Sequence, residues 1–254
     1  MAQRAGGPAT DEYVRSALAQ ARAVNVLKVI TVGDTVASSR WCAGVAARHE
    51  DVYAAVAVHP TEIDGVGDED YEELERLAAQ PKVVAIGETG LDYHWDRTEP
   101  KAQQEHFRRH IELAKRTKLP LMIHDRDAHA DVLDILAAEG APEQVVFHAF
   151  SGDEAMARTC AERGFTLSFP GVITFTNAPS LRAAAAATPV GQILVETDAP
   201  FLTPVPYRGR PNAPYLLPYT LLAVAKVLDI SAAELAATIA ATAARVFGLR
   251  FTEK

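Results

Sequence analysis

Residues 83–96 read VVAIGETGLDYHWD: a short apolar run, a carboxylate set between two glycines, then an aspartate among aromatics. The run VVAIG (83–87) has the near-continuous apolar character of a parallel strand buried on both faces. Glu88 therefore stands where that strand is expected to end, and Gly87 and Gly90 permit a close approach and a sharp turn beside it. The arrangement recurs along the chain. LPLMI (119–123) leads into His124, QVVF (144–147) into His148, and GQILV (191–195) into Asp198 of VETDAP. Three more runs of the same character are VLKVITV (26–32), VYAAVAV (52–58) and FTLSF (165–169).

Helical patterns lie between these runs. Phe107, Ile111 and Ala114 are spaced i, i+4, i+7, and Leu217, Leu221, Val224 and Leu228 form a longer stripe of the same period. Thr10 and Asp11 give a helix start before the stripe Val14, Leu18 and Ala21. Regular alternation without a break in composition predicts one α/β domain over residues 1–254. Polar groups at the ends of many different strands select a (β/α)8 TIM-type barrel, whose strand ends converge on one mouth. An open doubly wound sheet gathers its site at a switch point instead, often with a glycine-rich phosphate turn. Neither GxGxxG nor GxxxxGK[ST] occurs. Seven strands are legible in the sequence, one fewer than such a barrel needs. Residues 1–10 (MAQRAGGPAT) hold Gly6, Gly7 and Pro8 and almost no β-former, so the first strand is expected to be missing from this chain or the barrel open on one side.

The chain has 254 residues, 48% hydrophobic and 23% charged, which excludes a disordered chain, a collagen-like chain and a disulfide scaffold. Cys42 and Cys160 read as buried small residues of a reducing compartment. The apolar stretches are strand-length, the alanine-rich stretch 232–244 is interrupted by Glu234, and the first ten residues lack the apolar region of a signal peptide. A cytoplasmic protein without membrane partners is expected. The net charge of −8 argues against broad wrapping of DNA or an anionic membrane. A nucleic-acid substrate stays open, since bound cations and a few local arginines can supply the positive field.

Glu88, His124, His148 and Asp198 converging on one mouth make a mixed nitrogen and oxygen site. That donor set suits Zn²⁺, Mn²⁺, Fe²⁺ or Ni²⁺ better than an oxygen-only ion such as Ca²⁺. Glu196 shares strand parity with Asp198 and either orients a ligand or water or plays a supporting structural role. His59 follows the run 52–58, placed either to touch substrate or metal-bound water or to serve as a rim residue. His94 and Trp95 stand to line the groove or stack on a base, while Asp92 and Tyr93 either join the site or fix the loop. His106 and His110 have the i, i+4 spacing of a metal pair but lack an HExxH glutamate. With Phe107 and Ile111 facing inward, both histidines are expected on a solvated outer flank. No Ser-His-Asp elbow or catalytic cysteine context is present, which disfavours covalent acyl chemistry.

From about residue 11 to 249 the chain resembles the TatD family of metal-dependent deoxyribonucleases, within the amidohydrolase-like barrels. The resemblance rests on GETGLDYHWD (87–96), the stretch QQEHFRRHIELAKRTKLPLMIHDRDAHADVLDIL (103–136), HAFSG (148–152), FPGVITF (169–175), ETDAPFLTPVPYRGRPNAP (196–214) and ARVFGL (244–249). It implies two divalent ions per site (Mg, Mn or Zn) bridged by Glu88, with His124 and His148 as ligands of one ion. Asp198 is implied as a ligand that also takes the proton of the attacking water. Arg126, Ser151, Arg208, Arg210 and Asn212 are implied as phosphate or strand contacts, arginine's planar fork suiting phosphate oxygens. The implied activity is hydrolysis of DNA, trimming single strands from a 3′ end.

The chain departs from the family at one place. Members open with a strand ending in a His-x-His pair, and this chain has none; its first histidine is His49. The absent pair belongs to the strand missing from the count, which suggests a start upstream of Met1, or else a variant with a one-metal or inactive site. Lower stability and poor activity are expected, with runs 26–32 and 191–195 left as unpaired, apolar edges prone to aggregation. Two other readings are hydrolysis of a small ester, amide or phosphoester, and a degraded barrel kept for binding. Other amidohydrolase-like barrels often bridge their metals with a carbamylated lysine, where this chain offers Glu88, and that favours the nuclease reading.

Overall fold

The computed structural model describes residues 9–250. In chain order the elements begin α1 (Asp11–Ala23), β1 (Val29–Val32), α2 (Val36–Arg48), β2 (Val52–Val56), α3 (Asp68–Ala78) and β3 (Val83–Asp92). They continue α4 (Pro100–Thr117), β4 (Leu121–Arg126), α5 (His129–Glu139), β5 (Val145–Phe147), α6 (Glu154–Glu162) and β6 (Thr166–Phe169). The last are α7 (Pro179–Ala187), β7 (Ile193–Val195), α8 (Leu217–Leu228) and α9 (Ala232–Phe247). Seven parallel strands alternating with helices among the described residues give the α/β class, one strand short of a (β/α)8 TIM-type barrel. The reading of residues 1–8 as strand-free lies outside the described residues. The chain forms two compact units, one of residues 28–148 with residue 9, the other of residues 10–27 with 149–250.

The first unit is a parallel ladder running β1, β2, β3, β4, β5 in chain order. Its central strands are apolar on both faces, as the sequence runs demanded: Val52, Ala54, Ala55, Val56, Ile86, Leu121 and Ile123 are all buried. Helix α4 lays Phe107, Ile111 and Ala114 into the core, each fully buried. A buried leucine, isoleucine or phenylalanine of this kind contributes about 1.5–3 kcal/mol. The outer strand β1 bonds to β2, and its Val29, Ile30 and Val32 are half-buried, with Leu27 before it 50% exposed. Lys28 Nζ reaches Asp51 Oδ1 at 2.9 Å and ties the start of β1 to the start of β2.

The same helix corrects the reading of its histidines. His110 is fully buried: its Nε2 accepts the Val58 N–H at 3.2 Å and its Nδ1 donates to the His106 carbonyl at 2.8 Å. Position 110 is three residues after Phe107 and one before Ile111, so it belongs to the inward stripe and not to the solvated face. His106 is half-buried against the Tyr71 hydroxyl, 2.9 Å away. Burial holds the His110 imidazole neutral, its pKa pushed down to about 4.

In the second unit α1 starts at the Thr10 cap, whose side chain accepts the Tyr13 N–H, and buries Val14, Leu18 and Ala21. Strands β6 and β7 pair in parallel, Leu167 opposite Ile193 and Phe169 opposite Val195. As expected, β7 ends the sheet order among the described residues, but its apolar residues are covered where exposure was expected. Helices α8 and α9 pack on β7, and Thr242 and Arg245 of α9 both donate to the Gly191 carbonyl. Ile193 and Leu194 are accordingly buried. Of the stripe predicted over α8, Val224 is fully buried while Leu217, Leu221 and Leu228 are half-buried. Both cysteines are free thiols in the core, Cys42 in the first unit and Cys160 in the second. Among the described residues no single helix is long and apolar enough to cross a membrane.

Candidate metal centre

Strand β3 does not stop at Gly87, as its apolar run suggested, but continues through Glu88 to Asp92. The glycines make this possible. A Cβ on Gly87 would stand 2.5 Å from Met122 Cβ and 2.6 Å from the Met122 carbonyl oxygen. One on Gly90, whose φ is +142°, would stand 2.0 Å from the His124 carbonyl oxygen. Only residues without a side chain let β3 lie this close to β4. The ladder shifts register between Ile86 and Thr89 and then resumes, pairing Gly90 with His124 and Asp92 with Arg126.

That register builds the centre. Glu88, Gly90 and Asp92 alternate along β3 and share a face. The His124 ring, opposite the glycine, reaches both carboxylates: its Nδ1 lies 2.6 Å from Glu88 Oε1 and its Nε2 2.9 Å from Asp92 Oδ2. His148, just past β5, brings its Nε2 to 3.6 Å from the same Glu88 oxygen. His59, after β2, brings its Nε2 to 3.7 Å from it. The His59 ring is set by Thr61, whose hydroxyl oxygen lies 2.8 Å from Nδ1, and this leaves Nε2 turned to Glu88. Ligand atoms of His59, Glu88 and His124 all lie within 4.8 Å of one another. Two imidazoles and a carboxylate at that spacing, with a third imidazole beside them, fit a divalent transition ion.

The electrostatics follow from burial and pairing. Burial alone would raise the Glu88 carboxyl, but the charge of His148 and the bond and charge of His124 outweigh it and hold the group well below the usual carboxylate range. Burial opposes charge on His124 as well; its bonds to Asp92 and Glu88 overcome this and push its pKa up to about 9. His59 answers the other way: desolvation dominates over the pull of Glu88, and its pKa falls to about 4. Asp92 is held down despite its burial, first by the His124 bond and then by the Trp95 and His94 N–H groups it accepts.

The structure thus brings Glu88, His124 and His148 together within the first unit and adds His59 and Asp92 to them. From the sequence, His59 reads as a contact to substrate or metal-bound water or as a rim residue, because a lone histidine after an apolar strand carries no sign of its partners. Asp92 joins them because β3 continues past Glu88, which carries it onto the same strand face two alternations on. Arg126 ends β4 with its guanidinium exposed.

Asp198, Ser151, Glu196, Arg208, Arg210 and Asn212 belong to the second unit. Asp198 lies three residues beyond β7 with φ +53°, and its carbonyl accepts the Phe201 N–H at 2.8 Å. Asn212 is buried, and its amide is spent on the loop itself. It donates to the Thr197 carbonyl at 2.6 Å and the Phe201 carbonyl at 2.8 Å, and accepts the Ala213 N–H at 2.9 Å. That correction makes Asn212 a brace of the Asp198 loop in place of the predicted strand contact. Glu196 also has a structural partner, accepting the Ala149 N–H at 3.1 Å. Ser151 is exposed, as are Arg208 and Arg210; the Arg208 guanidinium sits 4.0 Å above the Phe175 ring.

Residues 8–248 match the family model described as TatD related DNase. The chain is 50% identical over 243 residues to the uncharacterized metal-dependent hydrolase TatD of Mycobacterium tuberculosis, covering 94% of this chain and 92% of that one. It is 38% identical to the uncharacterized metal-dependent hydrolase YabD of Bacillus subtilis, covering 93% of each. Among solved structures, the TatD homolog YjjV of Escherichia coli superposes with a TM-score of 0.89 at 27% identity, over 93% of this chain and 92% of that one. A TatD-family hydrolase from Entamoeba histolytica, 18% identical, shares the fold with a TM-score of 0.83 over 96% and 92% of the two chains.

Proposed function

The chain belongs to the TatD-related DNase family and is a metal-dependent hydrolase, and from that premise we propose that it hydrolyses phosphodiester bonds of DNA, trimming single strands from a 3′ end. The observation that carries this reading is the Glu88 carboxylate with three imidazole nitrogens at 2.6, 3.6 and 3.7 Å from one of its oxygens. Glu88, His59, His124 and His148 would hold divalent ions there. Such ions, when bound, lower the pKa of water toward neutrality and offset charge on phosphate oxygens.

The chain's own groups have distinct parts in the proposed reaction. Glu88 stays ionised through neutral pH and supplies the negative charge that draws cations into a site walled by apolar strands. Asp92 orients His124 by holding its Nε2, the kind of outer contact that fixes a ligand ring. Asp198 accepts the proton of the attacking water. Arg126, exposed at the end of β4, binds a phosphate oxygen and balances charge that develops there.

The test is divalent-metal-dependent degradation of single-stranded DNA, run beside a chelator control, with bound metal measured in parallel. Glu88→Ala is expected to abolish cleavage and to lower the metal content. Cleavage and metal content unchanged in that variant would overturn the mechanism. Turnover of a simple phosphoester or carboxylic ester without any DNA degradation would overturn the choice of substrate.

A further inference from the structure

Trp95 is one of two tryptophans in the chain, and it is 50% exposed on the loop that follows β3. A large aromatic ring in water at that position calls for a reason. Its surroundings are cationic on two sides: the Arg126 guanidinium lies 5.7 Å from the ring centroid and that of Arg97 5.8 Å from it. Both are within the range in which a cation is held by an aromatic quadrupole. His94 stands edge-on to the indole at 5.1 Å, with its Nδ1 3.1 Å from Asp127 Oδ2. Arg97 also reaches Glu62 Oε1 at 3.4 Å. The arginines thus flank a flat apolar surface, with Glu62 and Asp127 holding the outer partners in place.

The platform is coupled to the metal centre through one side chain. Asp92 Oδ1 accepts the Trp95 N–H and the His94 N–H, both at 3.0 Å, while its Oδ2 meets His124 Nε2 at 2.9 Å. The carboxylate is 1% exposed, so both sets of bonds are made away from water. The backbone that carries the indole is therefore fixed relative to Glu88 and His124, and the exposed face of the ring is left for a ligand.

We propose that Trp95 is a base-stacking platform for the single-stranded DNA substrate, with Arg126 and Arg97 binding the phosphates on either side of the stacked nucleotide. The inference rests on the reading of DNA as substrate and adds a recognition residue that is not a metal ligand. Stacking on an indole suits any base, because every base presents a π-face. It demands an unpaired base, so it selects single strands over duplex without selecting sequence. The arginines alone would bind any polyanion of the same charge.

Intrinsic fluorescence can isolate the platform, since replacing Trp41 by phenylalanine leaves Trp95 as the sole indole. The Trp41→Phe holoprotein would be titrated with a phosphorothioate oligothymidylate, which resists cleavage, and with its abasic counterpart of equal length and charge. Quenching by the oligothymidylate and little response to the abasic strand are expected. In the otherwise native chain, Trp95→Ala should weaken oligothymidylate binding roughly 5- to 150-fold, Trp95→Phe should weaken it less, and abasic binding should be unchanged. Equal responses to the two strands, or an unaltered affinity in Trp95→Ala, would overturn the platform. Cleavage of unmodified DNA, measured on the same preparation, separates the two readings. Cleavage without base-dependent quenching removes the platform and keeps the nuclease. Quenching without cleavage keeps the platform and removes the reaction, and neither signal removes both.

Discussion

Glu88 and Asp198 are both carboxylates associated with a parallel strand, and the chain holds them by opposite means. Glu88 lies inside β3, locked by the ladder to β4 and by glycines that admit no side chain on either side. Asp198 lies beyond the end of β7 on a loop braced by turn hydrogen bonds and by the buried amide of Asn212. The first arrangement draws on many backbone hydrogen bonds at once, so its precision is a property of the sheet. The second draws on local turn bonds and on three bonds of one side chain. Groups carried by strands are positioned more tightly than groups carried by loops.

The comparison can be broken most severely at Gly90. Alanine there would collide with the His124 carbonyl and occupy a backbone region closed to side chains. A loss of about 3 kcal/mol or more is expected, read as a lower urea midpoint; an unchanged midpoint would mean that the β3–β4 contact does not depend on glycine. Next in size is the acid response of the stiff side. His110 braces the chain just before His59 by accepting the Val58 N–H, and its folded pKa of about 4 lies below its ordinary value of 6.5. The unfolded chain therefore takes up this proton first. The contribution is complete above pH 6.5 and is lost as pH falls toward 4, by about 3 kcal/mol at the limit. His59 titrates in the same direction, so the quantity to measure is the difference in acid slope between the native chain and His110→Gln. The variant should release about one proton's worth of that slope, and identical slopes would contradict a buried neutral His110.

How much of this was legible in the sequence differs between the same two regions. Seven strands could be read because a strand buried on both faces leaves a run of apolar residues, whatever its neighbours are. The extension of β3 through Glu88 to Asp92 left no such trace, because it is held by ladder bonds and glycine clearance, which hydrophobicity does not record. Glu88, His124 and His148 were visible as polar residues directly after apolar runs. The part His59 takes was not visible, since it depends on a distance across three strands. His110 carries a legible signal, lying at i+3 from Phe107 on the buried stripe, whereas its i, i+4 spacing from His106 points to the wrong face. On the compliant side, the resemblance implies Asn212 as a phosphate or strand contact, and only the carbonyls of Thr197 and Phe201 reveal it as a brace.

Asn212→Ala tests that side directly. Removing three buried hydrogen bonds is expected to cost about 1–3 kcal/mol. Amide exchange should accelerate across residues 196–213 and stay unchanged across 83–92. Acceleration in both segments would mean that the two carboxylates are not held independently. The smallest effect is expected where no positioning is involved. Arg116 pairs with Glu75 on an exposed helix surface at 3.0 Å, and Arg116→Ala should shift stability by no more than about 0.5 kcal/mol, with hydrolysis unaltered.

The two buried thiols give the molecule a pair of internal clocks. Cys42 packs beside Thr31 of the outer strand β1, its Sγ 3.4 Å from the threonine hydroxyl, and burial raises its pKa. Cys160 is sealed in α6 of the other unit. Neither sulfur meets an alkylating reagent until its surroundings open, so the rate at which each is modified in native buffer counts openings of its own unit. A single mass-spectrometric time course thus reports two breathing frequencies from one unmodified chain. The half-covered edge at β1 predicts that the Cys42 clock runs the faster.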